Sequence, residues 1–181
     1  MDYTRFYPEE PRLHHLLQTH SRAVADLALE IADAHPELNA DRRFIEEAAM
    51  LHDIGIRACD APGIFCHGDL PYICHGIEGA RMLAEEGMLS HARVCERHTG
   101  SGLTAEEILD QSLPLPARDM LPETIEEKII CYADKFYSKN PDSLTVRKPL
   151  RRVIEDMARH GDAPLARFMD LHRLLHIPAL S

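Results

Sequence analysis

Residues 41–55 read DRRFIEEAAMLHDIG. Phe44, Ile45, Ala48, Ala49 and Leu51 recur at helical spacing, which predicts an amphipathic helix over about 41–54. Gly55 follows where a left-handed C-terminal residue is expected. The end of this helix therefore delivers an imidazole and a carboxylate, His52 and Asp53, side by side, able to reach one cation from neighbouring directions.

The same period extends in both directions. Leu13, Leu16, Leu17, Val24, Leu27, Ala28 and Ile31 mark a helix over about 12–35 that Pro36 closes. Downstream, helices are predicted over about 75–86, ending at Gly87, and from Ser90 as N-cap to about Thr99 before Gly100. Thr104 and Glu107 form a capping box, with Leu103 and Ile108 placed as a hydrophobic staple, and that helix stops before Pro114. Thr124 and Glu127 repeat the box for a helix carrying Ile125, Ile129, Ile130, Ala133 and Phe136, ended by Asn140 and Pro141. Helices over about 147–160 and 164–177, with Gly161 between them, complete the pattern. Residues 57–74, rich in Gly, Pro, Cys and Asp, have no period and read as a long ordered loop, which in a compact domain is usually functional. No useful length alternates with strand period, and no repeat or low-complexity linker appears. The expectation is an all-α helical bundle forming a single domain over 1–181, with a site-bearing core at about 12–138 and C-terminal helices at about 147–177.

Composition agrees. At 181 residues, 45% hydrophobic and 28% charged, the chain has the make-up of an ordinary globular domain rather than a disordered or fibrous one. The formal charge of −10 disfavours a large nucleic-acid surface and leaves room for a local pocket that takes a small phosphorylated molecule. No apolar run approaches a membrane span, and residues 1–11 lack the core of a signal peptide, so a cytoplasmic protein is expected. The 5 cysteines form no CxxC pair, which excludes a zinc ribbon or disulfide scaffold and suits reduced thiols. The 12 histidines are an excess for this length.

His20 falls on the apolar face of the first helix, four residues after Leu16 and four before Val24. His75 opens the third helix, His98 closes the fourth, and Asp134 sits four residues after Ile130 on or beside a buried stripe. A buried Asp without a cation is costly. With His52 and Asp53 these make six imidazole and carboxylate ligands and no thiolate, the donor set of a first-row transition metal site with catalytic rather than structural character. Six exceed what one catalytic site with open positions needs, so if all bind, two metals sharing a carboxylate is the economical arrangement.

The order and context of these residues resemble the HD-domain metal-dependent phosphohydrolases, whose pattern is H, HD, H, H, D. Here it reads HSRAVADLA from His20, AAMLHDIG with His52 and Asp53, HGIEGARML from His75, ERHTG with His98 and EEKIICYADK with Asp134. The HT after the fourth helix and the EKII..AD segment are most similar to the bacterial symmetrical diadenosine tetraphosphatases. The resemblance implies that His20, His52, Asp53 and Asp134 hold one metal and that Asp53, His75 and His98 hold a second, with Asp53 bridging. It further implies hydrolysis of a phosphoester or phosphoanhydride bond in a small nucleotide or related metabolite by a metal-bridging hydroxide. Two divalent transition metal ions are implied, iron first, with manganese, cobalt, nickel or zinc compatible with the same donors.

The same ligands also serve HD-type mixed-valent di-iron oxygenases, and a regulatory metal- or nucleotide-binding HD module is a third reading. Many family members follow HD with a lysine, as in HDIGK, whereas this chain has Ile56 and then Arg57, so that lysine role does not transfer. Arg57, one position later, and Lys135, beside Asp134, are the candidates to touch substrate phosphate, with Arg81 and Arg97 as further ones. His67 and Asp69 in the loop are open as extra contacts. His14, His15, His35, His91, His160, His172 and His176 are assigned to structure or solvent, and Met82, Met157 and Met169 to the core.

Overall fold

A computed structural model describes residues 3–180; Met1, Asp2 and Ser181, the extremes of the 1–181 unit read from the sequence, lie outside it. Eight α-helices carry the described residues: α1 Pro11–Ala34, α2 Arg42–Leu51, α3 His75–Glu85, α4 Leu89–Arg97, α5 Ala105–Asp110, α6 Ile125–Asp134, α7 Leu150–Ala158 and α8 Asp162–Leu175. The all-helical expectation holds. Among the described residues the departures are isolated bridges such as Leu103 with Met120 and a two-residue antiparallel pair in the 57–74 loop, β1 Asp60–Ala61 with β2 Cys66–His67. Asp60 N–H donating to the Leu70 carbonyl (2.8 Å) and Gly68 N–H to the Cys59 carbonyl (2.9 Å) fix that loop as an ordered one.

The centre of the molecule is α6. Ile129, Ile130, Cys131, Tyr132, Ala133 and Asp134 are buried in succession, as expected of a helix surrounded on all sides. It packs against α1, α2, α4 and α8. Its start is set by the expected capping box, Thr124 accepting from the Glu127 N–H at 3.2 Å. Buried Glu127 in turn accepts from Arg93 of α4 at 2.8 Å, which ties the two helices together. One core cluster includes Val24 and Leu27 of α1, Ile45 and Leu51 of α2, Val94 of α4, and Val153 and Phe168 of α7 and α8. A smaller cluster of Leu13, Leu16, Leu17, Ile56, Cys66 and Leu144 anchors the loop on α1.

Several helix ends differ from their sequence reading. Helix α2 stops at Leu51, and a 3₁₀ turn, Ile54–Ala58, carries the chain onward. Gly55 lies within that turn and is absent from the positive-φ glycines, so it is not a left-handed cap. Its role is close approach: a Cβ there would fall 2.0 Å from the His75 carbonyl oxygen and 2.4 Å from the Gly79 nitrogen. Ser90 lies inside the first turn of α4, whose N-cap is Met88 without a side-chain cap. Helix α6 ends at Asp134 rather than near Asn140, because Phe136 N–H turns back to the Ala133 carbonyl and Tyr137 N–H to that of Asp134. These tighter bonds swing Phe136 into the core.

The Gly55 contact makes a direct test. A methyl group at that position collides with backbone, which has no rotamer to escape into, so Gly55→Ala is expected to lower the urea midpoint with a loss of about 1–3 kcal/mol or more. An unchanged denaturation curve would show that the turn and α3 do not approach as described.

Candidate metal centre

The site is assembled from helix ends. His52 caps the C-terminus of α2, His98 that of α4, and Asp134 is the last residue of α6, while His75 is the first residue of α3. Only His20 comes from a helix interior. Three of these five segments thus present the partial negative charge of a helix C-terminus, a setting that favours cations.

One local device orients three of the four imidazoles. His52 Nδ1 donates to the Ala49 carbonyl (2.6 Å), His75 Nδ1 to that of Tyr72 (2.7 Å) and His98 Nδ1 to that of Cys95 (2.7 Å), each three residues back. This uses carbonyls that a helix or turn end leaves unpaired, and it fixes the tautomer so that Nε2 offers a lone pair to the interior. The His75 ring also stacks on Tyr72, centroids 4.7 Å apart.

The Nε2 atoms converge on two carboxylates. Asp53 Oδ2 stands 3.2 Å from His20 Nε2 and 3.1 Å from His52 Nε2, whereas Asp53 Oδ1 stands 3.2 Å from His98 Nε2 and 3.6 Å from His75 Nε2. Asp134 Oδ1 lies 3.1 Å from His20 and 3.5 Å from His52. Two donor groups result, His20–His52–Asp53–Asp134 and Asp53–His75–His98, each with its ligand atoms within 4.8 Å of one another. All six side chains are buried, Asp53 completely.

The fit to metal ions rests on what these atoms lack. His52 Nε2 and Asp53 Oδ1 make no hydrogen bond although they are fully enclosed, and Asp53 Oδ2 has the Lys139 ammonium at 2.7 Å. His75 Nε2 and His98 Nε2 face each other at 3.1 Å with both Nδ1 positions occupied by carbonyl partners, so two lone pairs oppose one another unless a cation or proton lies between them. Nitrogen and oxygen donors of this kind suit divalent first-row cations. No cysteine belongs to either donor group; all five are free and buried, and burial raises Cys59 and Cys131 to about 11 and Cys66 to about 12.

The protonation pattern follows from burial and charge. Burial, then the neighbouring His98, depresses His75 to about 3, and burial also depresses His98, so both rings are neutral. Burial opposes a proton on His52, but Asp53 and Asp134 outweigh it and lift its pKa to about 9. Burial likewise disfavours charge on Asp53, yet His52 and Lys139 hold its carboxyl well below the usual range. For Asp134 the overriding groups are Lys135 and Lys139.

Lys135 stands where the sequence reading put it. Its Nζ is 2.7 Å from Asp134 Oδ2 and donates to the His98 carbonyl at 3.0 Å. Lys139 was not singled out from sequence, and its Nζ is 2.7 Å from Asp53 Oδ2 and 4.0 Å from Asp134 Oδ1. A helix running on to Asn140 would have set Lys139 four residues after Lys135 on the same face, which is the signal available; the turns after Asp134 are what bring it to Asp53. Arg57 is exposed on the turn after Asp53 and makes none of the contacts that gather the two lysines. Arg97 is engaged by Glu123 (2.7 Å) and the Leu121 carbonyl (2.6 Å), and Arg81 by Glu78 and Glu85 at the surface. His67 and Asp69 are exposed in the loop. Tyr132 donates to or accepts from His172 at 2.8 Å, a structural use.

Known proteins were compared with this chain. It is 37% identical over 161 residues to a tRNA (cytidine(56)-2'-O)-methyltransferase of Picrophilus torridus and 31% identical over 161 residues to one of Thermoplasma volcanium. Each match covers 88% of this chain but 41% of the relative. An uncharacterised protein of Methanocaldococcus jannaschii is 38% identical over 120 residues, 65% of this chain and 63% of that one. Among solved structures, the HD domain of the phosphodiesterase PgpH from L. monocytogenes aligns with 90% of this chain and 95% of its own, at 17% identity and a TM-score of 0.48. Residues 17–138, more than half of the chain and a span that includes all six clustered side chains, match the HD domain, and the chain belongs to that family.

Proposed function

We propose that this chain is a metal-dependent phosphohydrolase that acts on a small phosphorylated molecule, with a nucleotide as the first substrate class to try. The observation that carries the reading is the placement of Asp53, whose two oxygens each face a pair of imidazole nitrogens. One carboxylate between two donor groups is the ligand set for a pair of divalent cations. Bound there, such cations supply an acidified water and neutralise charge on a phosphoryl oxygen. The chain's own residues do the rest. Asp53 and Asp134 offset the cations' charge, the enclosed imidazoles exclude bulk water, and the Lys135 and Lys139 ammonium groups stand at the edge where an anionic substrate must arrive.

The sites also suit a di-iron oxygenase; two ammonium groups beside the ligands favour the anionic substrate of a hydrolase. Oxygen uptake by the iron-loaded protein, without phosphate release from any phosphorylated compound, would replace one reading with the other. The name carried by two relatives supports a different reading, action on tRNA. That name describes proteins of which this chain spans 41%, and a formal charge of −10 opposes the extended phosphate contacts such a partner needs. A tRNA mobility shift is expected to show no complex.

Elemental analysis is expected to find about two transition metal ions per chain, and Asp53→Ala to lose most of both together with hydrolysis. His14→Ala, whose ring meets the Pro8 carbonyl and the edge of Tyr7 ahead of α1, should lose neither. Full metal content in the Asp53 variant would refute the shared-carboxylate assignment.

Phosphate release from a panel of nucleotides and dinucleoside polyphosphates tests the substrate class. Lys135→Ala is expected to lower kcat/KM by about 2–4 kcal/mol in transition-state stabilisation, roughly 30- to 1000-fold, the scale of losing one oxyanion donor. Metal content measured beside it decides the role: loss of ions would make Lys135 a support for Asp134 instead.

A further inference from the structure

Beside the cluster lies a cavity of about 490 Å³, within the size range of small-molecule sites. Asp134, Lys135 and Lys139 line its end nearest the carboxylates, and Lys148, Arg159 and His160 line another part. Lys148 is fixed next to the end of α6, because its backbone N–H donates to the Phe136 carbonyl at 2.8 Å. Its Nζ pairs with Asp156 (3.3 Å), which also receives Arg159 (2.9 Å) and Arg152 (3.3 Å). Arg152 is shared with Glu155 (3.7 Å), and around the cavity Lys135, Lys139, Lys148 and Arg159 outnumber Asp134 and Asp156, a local surplus of positive charge in a chain whose formal charge is −10. Local surplus against a strong opposite background is what a site for an anion requires.

We propose that this wall is a subsite for a second phosphoryl group, so that the preferred substrate carries at least two linked anionic groups, one at the metal centre and one at Lys148 and Arg159. The inference rests on the phosphohydrolase reading for the first group only. Arginine and lysine serve the second in different ways, the guanidinium as a two-pronged donor and the ammonium as a point charge, and both can exchange Asp156 for phosphoryl oxygens. Both side chains reach solvent, Lys148 28% and Arg159 62% exposed, so they can meet a ligand without unfolding. These two residues flank α7, outside the 17–138 stretch that matches the HD domain. The subsite accordingly belongs to the C-terminal helices rather than to the HD-matching stretch.

The test uses two probes with bonds that hydrolysis cannot cleave, methylenediphosphonate and methylphosphonate. Binding is measured by calorimetry on the full chain as purified, with metal content recorded. The wild type is expected to bind the diphosphonate at least about tenfold tighter, a difference of about 1.4 kcal/mol. The double variant Lys148→Gln, Arg159→Gln should lose most of that preference, with its thermal midpoint and metal content checked beside it. Arg173→Gln, a surface cation paired with Asp170, should keep it. A preference that survives in the double variant would mean that the diphosphonate is read by the metal centre alone, and one lost equally in Arg173→Gln would mean general electrostatics; either overturns the proposal. If the preference depends on Lys148 and Arg159 while no phosphorylated compound is hydrolysed, the subsite stands and the phosphohydrolase reading falls.

Discussion

Two carboxylates buried among four imidazoles dominate the energetics of this protein. A fully enclosed Asp is tolerated only with compensating positive charge, and Asp53 has its two oxygens in contact with four histidines and one lysine. Much of the fold serves to bring compensation to that point. The C-termini of α2, α4 and α6 point their carbonyl ends inward, and Lys135 and Lys139 return from the turn after α6 to meet the carboxylates. A cation at the centre answers the same demand from within.

Helix ends are an economical place to build such a site. Each supplies an unpaired carbonyl, and a histidine three residues later satisfies it through Nδ1 while presenting Nε2. The sequence local to His52 and His98 therefore sets the tautomer, and packing sets the direction. Gly55 and Gly79 let α3 lie against the turn after Asp53 with backbone near backbone, which sets where His75 enters. A side chain at either glycine would push the second donor group away from the first.

The C-terminal helices give this frame a separate task. Helices α7 and α8 contribute Val153, Met157 and Phe168 to the common core, and Lys148 just before α7 and Arg159 at its C-terminal end border the cavity beside Asp134. On the proposed reading the metal centre would set the type of chemistry and the Lys148–Arg159 wall would select among phosphorylated molecules, because specificity resides in pocket contacts rather than in the metal donors.

The sequence by itself determined the helical class, the capping boxes at Thr104 and Thr124, the buried stripes and the six side chains that cluster. These are local matters: period, cap chemistry and a residue's place on a stripe are properties of segments a few turns long. It misplaced the end of α6 and the role of Gly55, because a helix that could continue is cut short by what Phe136 gains in the core, and a glycine's need for space depends on a neighbour 20 residues away. It did not mark Lys139, whose approach to Asp53 requires the turn after Asp134, nor the sharing of Asp156 by three cations. Only the tertiary structure decided those, and likewise which oxygen of Asp53 faces which pair of histidines. Distances between side chains from separate helices are set by packing, and no period within one helix encodes them.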